Sequence, residues 1–238
     1  MKLLAFELAT EACSVALWLD GEVRERFEIA PRRHAELALP WAGQLLAEAG
    51  IGKRQLDAVA VGRGPGAFTG VRLAIAVAQG IALALDKPVV PVSTLAALAT
   101  SCQFAAAGEA GAEHRVLTAI DARMGEVYHG AFTVRDGSAA AIGEEGIHAP
   151  DVVPVASEDD WHGLGTGFAA ADGLLRRRCE HFASIEANAL PHAAAVARLG
   201  AAAFAHGTAV APDRIEPAYL RNQVALTLEE QRVLRSRR

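Results

Sequence analysis

The first thirty residues alternate between short apolar runs and turn residues, a pattern that predicts three strands. The runs LLAFEL and SVALWL are each long enough for one strand, and EVRERFEI places apolar and charged residues in alternation. Asp20 and Gly21 stand between the second and third runs, and Asp-Gly is a strong signal for a tight hairpin. The chain is therefore predicted to begin with three antiparallel strands.

The following residues switch to helical spacing and buried strands. The segment HAELALPWAGQLLAEAG predicts a helix that ends at Gly50, while Pro40 predicts a kink or a late start. The strand LDAVAVG leads through a glycine-rich loop into a long helix over residues 70–85. The strand PVVPV and a helix capped by Ser93 follow. The order β-β-β-α-β-α-β-α is typical of the first half of an actin-like, sugar-kinase-like fold.

The second half opens like the first. RVLTAIDARMGEVYHGAFTVRDG predicts a strand, a tight turn, a second strand and a hairpin signal, and the alanine- and glycine-rich AAAGEAGAEH before it marks a boundary. The sequence thus predicts an α/β, actin-like protein of two lobes, each a mixed sheet with flanking helices. The lobes are predicted at residues 1–107 and 108–222. Residues 223–238 are predicted to form a tail that either packs back on the first lobe or is disordered.

Composition narrows the class of protein without deciding its function. The chain has 238 residues, is 52% hydrophobic and has a net charge of -5, which gives no general attraction to nucleic acid or anionic membranes. Its three cysteines are odd in number and too scattered for a metal or redox pair, so a reducing compartment fits best. No membrane span is predicted, and Glu7 and Glu11 interrupt any signal peptide. The expected location is the cytoplasm.

Four separated motifs occur in order along the chain: ATEACSVALW, GRGPGAFTGVR, IDARMGEVY and EPAYLRN. With them the chain resembles, from its first strand to about residue 222, the TsaB family of the bacterial tRNA threonylcarbamoyladenosine machinery. The resemblance implies a protein that does not itself modify tRNA but binds a paralogue, the catalytic subunit TsaD, together with the ATPase TsaE. It also implies that tRNA is reached through the complex. ATP and a metal ion are then expected on the partner subunits, with no cofactor on this chain.

The acids of an actin-like nucleotide site have counterparts here, but their surroundings differ. In active members of the fold an acid in the first strand positions a hydrated metal ion, and groups of the adjoining hairpins hold phosphates. The counterparts in this chain are Glu7, Thr10, Ser14 and Asp121. The first acid is a glutamate instead of the usual aspartate, and the following LATEACS has no glycine where a phosphate must approach the backbone. We therefore predict a vestigial or weak nucleotide site.

No metal site is predicted in this chain. TsaD-like proteins carry an HxxxH pair on the helix after PVVPV, and two histidines four residues apart can ligate one metal ion. Thr94 and Leu98 stand at those positions here, and no HExxH supports a peptidase. The acids leave one alternative open, a stand-alone actin-fold ATPase or phosphotransferase. Such an enzyme would need the acids and would gain nothing from an exposed apolar helix.

The long helix is apolar on both sides in projection. The stripe predicted to pack on its own sheet consists of Gly70, Ala74, Ala78, Ile81 and Leu85, and Thr69 is the predicted N-cap. A helix that is apolar all round is normally buried all round. We therefore predict that the outer face docks the TsaD-like subunit or, in its absence, a second copy of the chain. The predicted docking residues are Leu37, Trp41, Leu45, Arg72, Ile75, Ala76, Gln79 and Leu83.

The carboxyl-terminal residues carry four clustered arginines, Arg232, Arg235, Arg237 and Arg238. A run of this kind is usually a solvated tail. The alternative is that it binds tRNA phosphates. In that case deletion of residues 231–238 should weaken tRNA binding by the assembled complex and flatten its salt dependence.

Overall fold

The computed structural model describes residues 1–101, 111–158 and 160–221. Two β-sheets with helices between and around them form the predicted α/β architecture. The predicted lobe boundary at residues 107–108 lies outside the described residues. The predicted tail at residues 223–238, with its four arginines, lies outside them as well.

The first sheet is built from β1 (Lys2–Glu7), β2 (Ala12–Leu19), β3 (Glu22–Ile29), β4 (Ala58–Gly62) and β5 (Val89–Val92). Their order is β3-β2-β1-β4-β5. The three N-terminal strands pair antiparallel, as predicted, and β4 and β5 add in parallel beside β1. Asp20 and Gly21 both have positive φ in the turn between β2 and β3, which is why Asp-Gly suits this position.

The described residues of this half form the α-helices α1 (His34–Glu48), α2 (Phe68–Leu85) and α3 (Thr94–Thr100). Helix α1 continues through Pro40, so the predicted late start does not occur. Helix α2 begins after Ala67, which offers no side-chain cap. The prediction of Thr69 as N-cap is wrong because this residue already lies in the first helical turn. Ser93 does cap α3, since its hydroxyl oxygen accepts a hydrogen bond from the Ala96 N–H.

Alternation along β1 divides its side chains between two cores. Leu4 and Phe6 belong to the core shared with α1 and α2, whereas Leu3 and Ala5 belong to the core on the opposite face. Both faces of the sheet are therefore covered. This explains why the central strands β1 and β4 are apolar along almost their whole length.

The second sheet is built from β6 (Glu113–Arg123), β7 (Glu126–Arg135), β8 (Ser138–Ala141), β9 (Gly146–His148), β10 (Trp161–Leu164) and β11 (Ser184–Glu186). Its main path is β11-β10-β6-β7-β8, and β9 pairs with β7. Strands β6 and β7 form the predicted strand, turn and strand that open the second half. Helix α3 lies between the two sheets, because Leu98 belongs to the core of the second sheet and Ala97 to that of the first.

Two further helices, α4 (Ala170–Arg178) and α5 (Ala193–Ala205), pack on different sheets. Helix α4 covers the second sheet, but Val196 of α5 belongs to the same core as Leu3 of the first sheet. The predicted second lobe at residues 108–222 therefore needs a correction, because its helix α5 is part of the first lobe. Small residues permit the close fit, since a Cβ atom on Gly200 would lie 2.7 Å from the Ala60 Cβ.

The described chain ends in a segment, residues 208–221, that contacts both lobes and that we name the strap. In the first lobe, the Ala218 N–H donates to the Arg63 carbonyl oxygen at 2.8 Å. In the second lobe, the Arg221 guanidinium donates to the Glu126 carboxylate at 2.6 Å. The strap therefore connects the first lobe to the start of β7.

Candidate functional site

A cleft of about 970 Å³ lies between the two lobes. Its walls come from the β1–β2 turn, the starts of α1 and α2, the β6–β7 turn and the strap. Helices α1 and α2 both begin here, and neither Arg33 nor Ala67, the residues at their N-cap positions, accepts a side-chain hydrogen bond from the first turn. A cleft of this size is large enough for a small ligand.

Only two of the four predicted nucleotide-site residues line the cleft. Thr10 and Asp121 belong to its walls. Glu7 and Ser14 are buried and are not among the lining residues. The structure therefore does not bring the four side chains together around one point of the cleft.

Glu7 is enclosed by its own neighbours. It is 1% exposed, and its carboxylate accepts hydrogen bonds from the Ala9 N–H at 2.8 Å and the Thr94 hydroxyl at 3.0 Å. The Thr94 oxygen accepts in turn from the Gly64 N–H at 3.2 Å. On the remaining side, a Cβ atom at Gly62 would lie 2.0 Å from Glu7 Oε2. This carboxyl group therefore connects β1 to the elements beside it and does not face a ligand.

Ser14 holds the start of α5 on the first sheet. Its oxygen accepts from the Ala193 N–H at 2.8 Å, and its hydroxyl donates to the Glu25 carboxylate at 2.7 Å. Glu25 also accepts from the Ala194 N–H and lies 3.0 Å from a ring nitrogen of His192. Burial alone would raise the pKa of Glu25, but these hydrogen bonds hold that pKa below its ordinary value. The Ser14 hydroxyl is thus used to attach α5.

Asp121 lines the cleft but is engaged with its own turn. Its carboxylate accepts from the Arg123 N–H at 2.7 Å and from the Arg123 guanidinium at 3.0 Å. Arg123 and Met124 both have positive φ, which is unfavourable for residues other than glycine. The Asp121 carboxylate therefore stabilises a turn in which Arg123 and Met124 have unfavourable backbone conformations.

The described residues contain no group of three or more histidine, cysteine, aspartate or glutamate side chains placed to hold a metal ion. The helix that carries the HxxxH pair in TsaD-like proteins is used here for packing. Thr94 donates to Glu7, and Leu98 is fully buried in the core of the second sheet.

Glu7 makes the stability of the fold depend on pH. Burial raises the pKa of Glu7 to about 7 from its ordinary 4.5, although hydrogen bonds from Ala9 and Thr94 oppose the shift. Between these two values the folded protein keeps a proton that the unfolded chain has lost. The free energy of unfolding therefore falls as the pH rises through this range, and it levels off above the folded-state pKa.

The variant Glu7→Gln should lack this dependence, because an amide does not ionise. We expect the free energy of unfolding of the variant minus that of the wild type to increase by about 2–3 kcal/mol between pH 5 and pH 8. Chemical denaturation across this range measures the difference. Glu11→Gln changes an exposed carboxylate nearby and should follow the wild-type curve. Parallel curves for Glu7→Gln and the wild type would contradict the prediction.

The outer side of α2 is exposed, but two predicted docking residues are not on it. Ala76 and Leu83 are exposed as predicted, Leu83 to 64%. Ile75 is 6% exposed and Leu45 of α1 is 1% exposed, and both belong to the core of the first sheet. Their assignment to the outer surface is therefore wrong. The physical reason is that Leu45 of α1, Ile75 of α2 and Ile215 of the strap all pack into this one core.

Other predicted docking residues are half-buried. Leu37 and Trp41 are half-buried and pack against the first core. Gln79 is also half-buried, and its side-chain amide donates to the Pro212 carbonyl oxygen of the strap at 2.8 Å. The strap therefore contacts α2 at Gln79.

The sequence pattern missed one exposed residue of this surface and one exposed residue of α1. Phe68, at the start of α2, is 65% exposed, and Leu39 of α1 is also exposed. At 100° per residue Phe68 lies on the same side of α2 as Leu83, so a projection begun two residues earlier would have included it. We name this surface the α2 face, and it consists of Phe68, Arg72, Ala76, Gly80 and Leu83.

Among the described residues, α2 is the helix that is long and apolar enough to cross a membrane. Its inner stripe, however, packs in the core of the first sheet. The buried residues of this stripe are Val71, Ala74, Ile75, Ala78 and Ala82. Helix α2 therefore has the contacts of a core helix that leaves one side exposed.

Comparison with known proteins finds a family model and relatives that match most of the chain. The family model described as TsaD, tRNA N6-adenosine threonylcarbamoyltransferase, matches residues 27–227. The tRNA threonylcarbamoyladenosine biosynthesis protein TsaB of Escherichia coli (strain K12) is 40% identical over 236 residues, 94% of this chain and 96% of that protein. TsaB of Haemophilus influenzae is 37% identical over 234 residues, 94% of this chain and 95% of that one.

A solved structure agrees with these relatives. YeaZ from Pseudomonas aeruginosa is 42% identical, superposes with a TM-score of 0.81, and is matched over 92% of this chain and 99% of its own. Sequence and fold are thus shared along almost the entire length of both chains. The chain therefore belongs to the TsaB family of tRNA threonylcarbamoyladenosine biosynthesis proteins, which has an actin-like fold.

Proposed function

We propose that this protein is a non-catalytic partner subunit in tRNA threonylcarbamoyladenosine biosynthesis. It binds a catalytic TsaD-like paralogue, which transfers the threonylcarbamoyl group to the adenosine beside the anticodon. The observation that carries the proposal is the exposed apolar α2 face. The names of the relatives support the pathway, and the enclosed carboxyl group of Glu7 supports the absence of catalysis by this chain.

The α2 face has the composition of an interface. Phe68 and Leu83 are large, apolar and mostly exposed. Exposed apolar patches usually mark interaction surfaces. A paralogue with the same fold can bring its corresponding helices against this face about a pseudo-two-fold axis. When the paralogue is absent, a second copy of this chain can cover the same surface.

A stand-alone actin-fold ATPase or phosphotransferase is the second candidate, because Thr10 and Asp121 line a large cleft. An enzyme of this kind needs an acid that positions a hydrated metal ion. Glu7 is not available for this role, since it is enclosed beside Gly62. The Asp121 carboxylate is bound by Arg123. The α2 face also has no role in this alternative.

The isolated protein is expected not to hydrolyse ATP. With ATP and Mg²⁺ we expect turnover far below about 1 per second, the lower end of typical enzyme rates. The variant Asp121→Asn keeps an acceptor for the Arg123 N–H, so it should leave the activity of the assembled complex largely unchanged. Steady release of phosphate by the wild-type chain, lost in Asp121→Asn, would establish the second candidate instead.

A reconstituted reaction tests the proposed function. The purified TsaD-like subunit, a TsaE-like ATPase, tRNA, ATP and a threonylcarbamoyl donor are combined with and without this protein. Modified adenosine is expected only when this protein is present, and none is expected from this protein alone. In this proposal ATP and the metal ion are bound by the partner subunits, tRNA is reached through the complex, and the location is the cytoplasm. Full modification without this protein would contradict the proposal.

A further inference from the structure

Arg72 is the one charged residue in the 18 residues of α2. Its guanidinium lies against two aromatic rings, with its central carbon 3.2 Å from the ring centroid of Phe68 and 5.2 Å from that of Tyr219. It also donates a hydrogen bond to the Tyr219 hydroxyl at 2.7 Å. The strap, which carries Tyr219, therefore fixes a cation at the amino-terminal end of the otherwise apolar α2 face.

The guanidinium of Arg72 has unused capacity for hydrogen bonds. An arginine has five N–H donors, and Tyr219 accepts from one nitrogen here. Within the described part of the chain, no carboxylate pairs with Arg72. The first turn of α2 begins beside it without a side-chain acceptor, and helix N-termini carry partial positive charge. Both features favour an anionic group at this end of the face.

We propose that Arg72 determines which partner the α2 face accepts, namely an apolar helix surface that presents one carboxylate to the amino-terminal end of α2. The proposal rests on the proposed function, because it concerns what the docked partner brings. A partner without an acid would bury the charge of Arg72 unpaired, and an uncompensated buried charge is strongly destabilising. A carboxylate forms a two-pronged pair with a guanidinium that the rings already hold in place.

The same charge disfavours pairing of two copies of this chain through α2. Helix α2 contains no aspartate or glutamate. When two α2 faces meet about a two-fold axis, each Arg72 cation lies against a helix whose 18 residues supply no carboxylate. Selectivity is the difference between two binding free energies. Arg72 therefore strengthens the complex with an acidic partner and weakens the homodimer.

The variants Arg72→Met and Arg72→Lys separate charge from shape. Calorimetric titration with the purified TsaD-like paralogue measures the first affinity, and sedimentation velocity measures self-association. Arg72→Met should weaken paralogue binding by about 30-fold or more, because it leaves the partner's carboxylate unpaired. It should also tighten self-association by about fivefold or more. Arg72→Lys keeps the charge without the paired geometry and should give intermediate values.

The control variant is Arg54→Met, which removes an exposed arginine outside the α2 face and should leave both affinities unchanged. If Arg72→Met binds the paralogue as the wild type does, the proposal is overturned. The proposed function survives that result when Leu83→Glu still loses binding. If Leu83→Glu also binds normally, the docking face itself is wrong. Neutralising the partner's acids one at a time should reveal one whose effect disappears in the Arg72→Met background.

Discussion

Replacing Leu83 with glutamate is expected to weaken binding of the TsaD-like paralogue by about a hundredfold or more. Leu83 is 64% exposed on the α2 face, three turns from Arg72 along the helix. Docking would carry the new carboxylate into an apolar contact without a partner, which costs several kcal/mol. Calorimetric titration of the purified proteins measures the change in dissociation constant.

A matched control separates this effect from a general effect of added charge. Val152 is 60% exposed and lies outside the α2 face, so Val152→Glu should bind the paralogue like the wild type. Both variants should keep their circular dichroism spectra and melting temperatures, because neither side chain belongs to a core. A folded Leu83→Glu protein with undiminished affinity would mean that the partner docks elsewhere.

Replacing Gly62 with alanine is expected to lower the free energy of unfolding by about 4 kcal/mol. The added Cβ atom would lie 2.0 Å from Glu7 Oε2. Glu7 cannot move aside, since it is buried and held by hydrogen bonds from Ala9 and Thr94. The variant must therefore break buried hydrogen bonds or displace β4 from β1. Chemical denaturation at constant pH measures the loss.

Two further variants make the Gly62 result specific. At Gly43, in the middle of α1, an added Cβ atom meets nothing within 4 Å, so Gly43→Ala should stabilise the helix by up to about 1 kcal/mol. Glu7→Ala removes the group that the new methyl would strike, so it should recover part of the loss in the Gly62→Ala background. A Gly62→Ala protein as stable as the wild type would show that Glu7 has more room than the structure gives it.

The architecture of the first lobe could be predicted because its signals are local. Alternating residues indicate β1 to β3, and Asp20-Gly21 indicates the turn between two of them. The inner stripe of α2 could also be predicted, since the helical period alone decides that Ala74 and Ala78 share a side. Each of these features depends on residues that are close in sequence.

The features that could not be predicted depend on residues that are distant in sequence. An acid in the first strand was evident, but the groups that enclose Glu7 come from β4 and α3. Ile75 was assigned to the outer side of α2 because a projection of one helix does not include the elements that pack against it. The helical pattern of α5 was clear, yet an apolar stripe of alanines fits either sheet, and the hydrogen bond from the Ala193 N–H to Ser14 fixes the choice.

The position of α5 also decides how the chain can fold as it leaves the ribosome. Synthesis releases the first lobe before the second, and many proteins fold domain by domain in that order. Here one face of the first sheet, with Leu3 and Ala60, is covered by residues 193–205. That face stays exposed to solvent until most of the chain has been synthesised. The first lobe is therefore completed only after the second has been synthesised, and chains that stop before Ala193 expose an apolar sheet face that favours aggregation.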